Sequence, residues 1–292
     1  ALVTGWMMRG AVVLGLLAAG GCGDAGLLLC NAPGVSNLER CKAADVEPAP
    51  AELDSIIHFL WRNYETATDV QLSEVITNLH TAVEGSTRTM ALQRSVSDMT
   101  ADDLAVVNMG HVNPAQASGM VVVTVITCTP DGADRVVRAP NQGELYDGVY
   151  DSYARTFTSD FDAYAQRSTP TLTWRSDIEA TLLSNAYTES VLGGVRWVTA
   201  EEGNPLRPFL VTRTWLPSPA VFDRPGSEWN QDFQIEAYWQ KSPTEVLHLW
   251  AMWRQMRIGN LSTDDDSVVE LQLSRMLEWD QRTGQLCVEN RP

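Results

Sequence analysis

Residues 171–182 read TLTWRSDIEATL, and their alternation decides the fold. Leu172, Trp174, Ile178, Ala180 and Leu182 fall on one side, while Thr171, Thr173, Arg175, Asp177, Glu179 and Thr181 fall on the other. A period of two sustained over this length predicts a β-strand with one dry face and one wet or charge-paired face. Just upstream, residues 120–128 (MVVVTVITC) form a β-branched run. It predicts a buried first strand, closed by a turn at Pro130-Asp131-Gly132. Between the two strands, Tyr146, Val149, Tyr150 and Tyr153 share a helical face that Phe157, Phe161 and Tyr164 continue, which predicts a helical insertion over 144–166.

Downstream, strands are expected near 186–198, 208–216, 232–240, 245–258, 267–279 and 285–289. The last two are expected as a hairpin, with Asp280-Gln281-Arg282-Thr283-Gly284 joining Leu277-Glu278-Trp279 to Leu286-Cys287-Val288. Residues 268–279 also admit a helix, although apolar residues at 269, 271, 273, 277 and 279 favour the strand.

Upstream of the first strand the period is helical. Leu53, Ile56, Ile57, Leu60, Trp61 and Tyr64 lie along one stripe, and Leu72, Val75, Ile76, Leu79 and Val83 repeat it after a capping box at Thr68-x-x-Gln71. Thr100-x-x-Asp103 starts a third, shorter helix that ends by Gly110. The expected class is therefore α+β, with residues 50–292 as one domain. Its helical part (50–112) packs on the dry face of a curved antiparallel sheet (119–292) of about seven to eight strands, whose first and last members are adjacent. This outline resembles the helix-grip and the cone-shaped cystatin-like folds, which close a sheet around a helix. The resemblance is architectural, and it implies an apolar cavity between helix and sheet. The helix-grip fold carries a long C-terminal helix where this chain is expected to form a hairpin.

The first residues carry an address. Arg9 precedes the apolar run of residues 10–21 (GAVVLGLLAAGG), which is too short to span a bilayer, and small residues lead into Cys22. Ala19-Gly20-Gly21-Cys22 resembles the lipobox of bacterial lipoproteins. That resemblance implies a signal peptide over 1–21, with 1–6 preceding the native start, and a lipid on Cys22. It also implies a protein held in the cell envelope, at the outer membrane facing the periplasm, since Gly23 rather than Asp follows the cysteine. A simple secretory signal and an uncleaved helix over 11–29 are the alternatives. The helix would place Asp24 in hydrocarbon at a cost of about 2.5–3.5 kcal/mol. Pro33, Gly34, Pro48 and Pro50 mark 22–49 as a tether between lipid and domain.

A net charge of −16 repels nucleic acid and anionic lipid surfaces. Of the five cysteines, four remain once Cys22 is assigned to lipid, an even number that suits two disulfides in an exported protein. Three connectivities are open. Cys30 with Cys41 and Cys128 with Cys287 is favoured, the first pair being local and the second lying at the ends of two expected strands.

No catalytic, phosphate-binding or metal signature is present, and no cofactor is implied. His58 and His80 lie beside apolar stripes and read as structural, while His111 and His248 have no metal spacing. The run Asp264-Asp265-Asp266 lacks the turn glycine of a calcium loop and reads as a solvated hairpin loop. Asp177 and Glu179 share a strand face, with Glu189 and Glu236 on strands expected to be neighbours. Such acids suit general acid/base work, but arginines on the same strands favour cross-strand ion pairs.

Eight of the ten tryptophans fall at or after Trp174. Together with Tyr150, Tyr153 and Met252, the residues Trp174, Trp239 and Trp250 are the candidates to line an apolar pocket. On a strand Trp250 and Trp253 point to opposite faces, with Met252 and Met256 on the Trp250 side. The expected function is non-catalytic binding of an apolar small molecule or of another envelope protein. A periplasmic hydrolase using Asp177, Glu179 and Glu236 and a structural assembly subunit are the alternatives.

Overall fold

A computed structural model describes residues 49–84 and 92–289. Cys22, Cys30, Cys41 and the signal and tether segments lie outside the described residues. The chain is α+β, with an antiparallel ten-stranded sheet covered by helices on both faces. Helices α1 (Leu53–Asn63) and α2 (Asp69–Val83) are followed by β1 (Leu92–Val96), α3 (Ala101–Ala105) and β2 (Ser118–Thr127). The connection to β3 (Ser152–Phe157) holds α4 (Pro130–Arg138) and α5 (Gln142–Leu145); α6 (Phe161–Ala165) then precedes the long meander. The meander runs through β4 (Thr171–Leu182), β5 (Asn185–Val198), β6 (Phe209–Trp215), β7 (Val221–Phe222), β8 (Ser227–Ser242), β9 (Glu245–Ile258) and β10 (Leu261–Ser262). A helix of 23 residues, α7 (Asp266–Val288), ends the described chain. The strand order is β1-β2-β9-β8-β6-β5-β4-β3. No helix among the described residues is long and apolar enough to cross a membrane.

The two capping boxes form as expected, at Thr68 with Gln71 and at Thr100 with Asp103. Helices α1 and α2 bury Ile56, Leu60, Leu72, Ile76 and Leu79 against what we term the outer face of the sheet. That face is built from Val121, Val123, Val211, Phe233, Ile235, Leu249 and Trp253. Three arginines fasten them, Arg207 by donating to Ser73 Oγ and to Asp69 O at 2.6 Å. Buried Arg213 donates to Trp61 O at 3.0 Å, pairs with Glu65 and sits 4.7 Å from the Tyr64 ring; Arg196 donates to Tyr64 O at 3.0 Å and pairs with Asp69 at 2.9 Å. Gly194 makes the approach possible, because a Cβ there would lie 2.9 Å from the Tyr64 hydroxyl oxygen.

Several expectations are corrected. The terminal hairpin with strands 267–279 and 285–289 is instead α7. Its buried stripe is Val268, Gln272, Met276, Trp279, Asp280, Thr283 and Leu286, a helical spacing whose polar members hid it from a count of apolar residues. Asp264-Asp265-Asp266 leads into this helix, with Asp265 at the N-cap and its carboxylate accepting the Ser262 N–H at 2.6 Å. Pro130-Asp131-Gly132 opens α4 rather than a turn, with Pro at the first helical position and Thr129 Oγ1 accepting the Gly132 N–H at 3.1 Å. The single helical insertion over 144–166 is broken into α5, β3 and α6. The first long strand, β2, lies between β1 and β9 rather than beside a C-terminal strand.

Candidate functional site

The inner face of the sheet, opposite α1 and α2, is the side on which chemistry gathers. Alternation puts Asp232, Gln234, Glu236 and Tyr238 of β8 on this face. Register sets them beside Arg254, Met252, Trp250 and His248 of β9. Helix α7 covers them, together with α4 and α5. An apolar layer fills the space between: Met120, Tyr146, Tyr150, Tyr187, Trp229, Trp250, Met252, Met256, Met276 and Trp279. Tyr146 stacks on Trp279 with ring centroids 3.5 Å apart, and Tyr150 and Trp250 meet the same indole edge-on.

Two polar clusters interrupt this layer. The first is closed. His248 Nδ1 lies 2.8 Å from Asp280 Oδ1 and Nε2 lies 3.1 Å from Glu236 Oε2, so both ring nitrogens face carboxylates and the ring is held as imidazolium. Burial works against that charge, but Asp280 and Glu236 overcome it and push the pKa up to about 9. Thr124 donates to the other Asp280 oxygen, Thr212 and Tyr238 donate to Glu236, and the Tyr238 ring stacks on His248 at 3.9 Å. With no free lone pair on its ring, His248 is a fastening between α7 and the sheet rather than a general base. The Cys128–Cys287 disulfide is a second fastening at the far end of α7, joining it to the residue just past β2. Gly132 makes room for it, since a Cβ there would lie 2.8 Å from Cys128 Sγ.

The second cluster is open-ended. Arg254 donates through Nε and Nη2 to Asp232 Oδ2 at 3.0 and 2.6 Å, stacks 4.6 Å over Trp229, and reaches Gln272 of α7 at 3.5 Å. Gln234 bridges Asp232 and the Trp250 indole. Next to the ion pair stands Glu189 of β5, 6% exposed, and neither of its carboxylate oxygens has a hydrogen-bond partner. Burial pushes its pKa well above the carboxylate range, the Asp232 charge adds to this, and Arg254 only partly opposes it. Burial also raises Asp232, against the pull of Arg254. Thr214 Oγ1 and Gln272 Nε2 are likewise buried without partners.

The structure brings together four of the six residues expected to line a pocket: Tyr150 and Trp250 with Met252 in the inner layer, and Tyr153 against it. Trp174 lies in an adjoining cluster, under the Arg155 guanidinium at 4.4 Å. Trp239 belongs to the outer face, where its indole donates to His80 Nδ1 at 3.2 Å. Trp250 and Trp253 do point to opposite faces, and both are buried.

The acids expected to act together do not meet. Asp177 and Glu179 are exposed on the outer side of β4, with Asp177 paired to Arg175 at 2.9 Å and Glu179 on the same side. Glu236 faces inward, bound to His248. Glu189 and Glu236 share the inner face but lie on strands separated by β6. The expectation missed Asp232, Arg254, His248 and Asp280 as site residues. For Asp232 the signal was the polar half of the 232–240 alternation, whose two faces are both buried in β8; Arg254 and His248 lie on β9 and Asp280 on α7.

No family model and no curated protein matches the chain. Solved structures match it weakly. The human StarD13 (DLC2) lipid transfer and protein localization domain aligns at a TM-score of 0.38 and 8% identity, over 73% of this chain and 95% of that one. A START superfamily protein from Mycobacterium smegmatis aligns at 0.37 and 8%, over 57% and 98%. Human StAR-related lipid transfer protein 5 aligns at 0.36 and 9%, over 76% and 97%. Likeness at this level assigns neither a family nor a ligand.

Proposed function

We propose that this chain is a binding protein that takes an apolar small molecule with a polar end between the inner sheet face and helix α7. The observation that carries this reading is Glu189, a buried carboxyl without a partner at the edge of a layer of methionine and aromatic side chains. A buried polar group left unpaired costs about 1–3 kcal/mol, so the ligand-free form is held short of its best arrangement. A ligand whose polar end reaches Glu189, Thr214 and Gln272 recovers that loss while its body replaces methionine and aromatic contacts. Four methionines, Met120, Met252, Met256 and Met276, give the layer the adaptability to repack.

Access follows from how α7 is held. Its C-terminal half is tied by the disulfide and by Asp280 to His248; its first half contributes Val268, Gln272 and Met276, whose one polar tie is the 3.5 Å contact of Gln272 with Arg254. Displacing the first half uncovers Glu189 and leaves the fastened half in place. We further propose that the protein works outside the cytoplasm, carried there by its leader and held in the cell envelope by a lipid on Cys22.

The test uses N-phenyl-1-naphthylamine, an apolar fluorophore with a single N–H donor. Saturable binding at one site is expected, weakened at least about tenfold by Glu189→Leu, the equivalent of about 1.4 kcal/mol. Absence of saturable binding to the folded protein, or unchanged binding by a folded Glu189→Leu variant, refutes the inner site. Intact mass of detergent-extracted protein tests the anchor, since acylation at Cys22 adds a mass that Cys22→Ala removes.

A further inference from the structure

On the opposite face, away from the inner cluster, α1, the end of β1 and α3 converge on His58. His58 Nδ1 lies 2.9 Å from Asp103 Oδ2, and Nε2 lies 3.0 Å from Ser97 Oγ. Asp103 is fully buried, and the carboxylate oxygen facing His58 also accepts the Thr100 N–H and hydroxyl at 2.7 and 2.8 Å. Burial alone would raise its pKa, but the hydrogen bonds from His58 and Thr100 outweigh burial and hold it below the ordinary value. Ser97 is exposed. Two indoles fix the backbone on either side: Trp253 donates to Ser97 O at 2.7 Å and Trp61 to Asp103 O at 2.6 Å. Beside Ser97 opens a cleft of about 260 Å³ lined by Pro50, Asp54, Ser55, His58, Arg62 and Thr100.

We propose that Ser97, His58 and Asp103 act as nucleophile, general base and orienting carboxylate in the transfer of a small acyl group from an ester to water. Hydroxyl, imidazole and buried acid stand in the order and at the separations such chemistry needs, and roles of this kind are recognised by geometry rather than by position in the chain. Ser97 Oγ adds to the ester carbonyl carbon as its proton passes to His58 Nε2. The resulting tetrahedral oxyanion collapses by breaking the bond to the alkoxy oxygen, which leaves as the alcohol with the proton from His58. Water then adds to the acyl-Ser97 carbonyl, giving its proton to His58. Cleavage of the acyl–Oγ bond releases the acid and returns that proton to Ser97. Arg62 lines the cleft and lies 3.6 Å from the other Asp103 oxygen, so it neutralises the orienting carboxylate, and the size of the cleft suits a short acyl group.

Asp54 sets the resting state. Its carboxylate accepts both the Ser97 N–H at 2.7 Å and the Ser97 hydroxyl at 2.6 Å, so at rest the one hydroxyl proton is held by Asp54 and must be released before it can pass to His58. An asparagine at 54 can accept the same N–H and donate to Oγ, which leaves the hydroxyl proton to His58.

The test treats the full chain with a fluorophosphonate probe and with p-nitrophenyl acetate. Phosphonylation of the peptide bearing Ser97 is expected, with ester turnover falling about 10²-fold or more in Ser97→Ala and labelling several-fold faster in Asp54→Asn. Ser97 is exposed, so Ser97→Ala retains the fold, checked by circular dichroism. Absence of label on Ser97 in the folded protein, or wild-type turnover by Ser97→Ala, overturns the proposal and leaves the cluster as a tie between β1 and α1. Neither result bears on the inner ligand site, which shares none of these residues.

Discussion

The two polar clusters under α7 lie on the same sheet face, yet one is complete and the other is not. Around His248 every carboxylate oxygen has a hydrogen-bond partner: Asp280 and Glu236 flank the ring, and Thr124, Thr212 and Tyr238 donate to them. Around Arg254, Asp232 is answered but Glu189 is not. Buried networks stabilise a single arrangement when every member is satisfied, and they are liabilities when one is left over. On the proposed reading, the difference separates a fastening from a receptor. The complete cluster ties the middle of α7 to the sheet, and the incomplete one leaves a buried carboxyl without a partner, the place where the proposed ligand would bind.

The largest effect is expected from breaking the complete cluster. Asp280→Ala removes the acceptor of two buried donors, His248 Nδ1 and the Thr124 hydroxyl, at about 1–3 kcal/mol each, and should cost about 2–6 kcal/mol, read from urea unfolding midpoints. The same cluster gives the protein a pH dependence. His248 titrates near 6.5 when unfolded and at about 9 when folded, so the folded state holds the proton more tightly. Its stabilisation is fully present below pH 6.5 and is lost as pH rises through 9, on the order of 3 kcal/mol in all. Asp280→Asn should flatten that loss. A wild-type stability curve flat from pH 6.5 to 9.5, matching the variant, would show that the ring is not held as imidazolium.

The incomplete cluster should respond in the opposite direction. Replacing Glu189 by Leu removes an unpaired buried acid and is expected to stabilise the fold by about 1–3 kcal/mol while weakening ligand binding at least about tenfold. Glu189→Gln separates charge from polarity. Because the folded pKa of Glu189 lies above its unfolded value, the wild type loses stability as pH rises above about 4.5. The two proteins should match at pH 4 and diverge above it. If Glu189→Leu destabilises the protein instead, the carboxyl has a partner in solution and the contrast between the clusters dissolves.

The contrast was invisible in the sequence for a definite reason, although much of the frame was not. Stripes of one character were legible: α1 and α2 from their apolar repeat, β4 from its alternation, the capping boxes at Thr68 and Thr100 from four residues each. What was missed lay where a buried stripe mixes characters. Helix α7 buries Gln272, Asp280 and Thr283 beside Met276 and Leu286, so an apolar count favoured a strand. Strand β8 was expected over 232–240 and is found there; what its alternation did not reveal is that Asp232, Gln234 and Glu236 are buried on one face just as Phe233, Ile235 and Ala237 are on the other. Alternation reports two faces of different chemistry, and it does not say that the polar face meets water. Trp239 and Trp250, both named as pocket candidates, lie on opposite faces, since aromatic character alone carries no face.

Strand β4 supplies the control, and the smallest effect. Asp177 carries the same chemical group as Glu189, and it sits on a strand that pairs directly with the strand bearing Glu189. It differs in being half-exposed, with Arg175 at 2.9 Å and Ser190 donating at 2.5 Å, and these partners hold its pKa below the ordinary value once they have offset its slight burial. Exposed pairs of this kind contribute about 0–1 kcal/mol, because water solvates the separated charges nearly as well. Asp177→Asn and Glu179→Gln should therefore shift the unfolding midpoint by less than about 1 kcal/mol and leave ligand binding unchanged. A larger loss of binding in either would mean that the ligand reaches the outer side of β4. Burial without a partner would then no longer be what distinguishes Glu189, since an acid with both water and a counter-charge would matter as much.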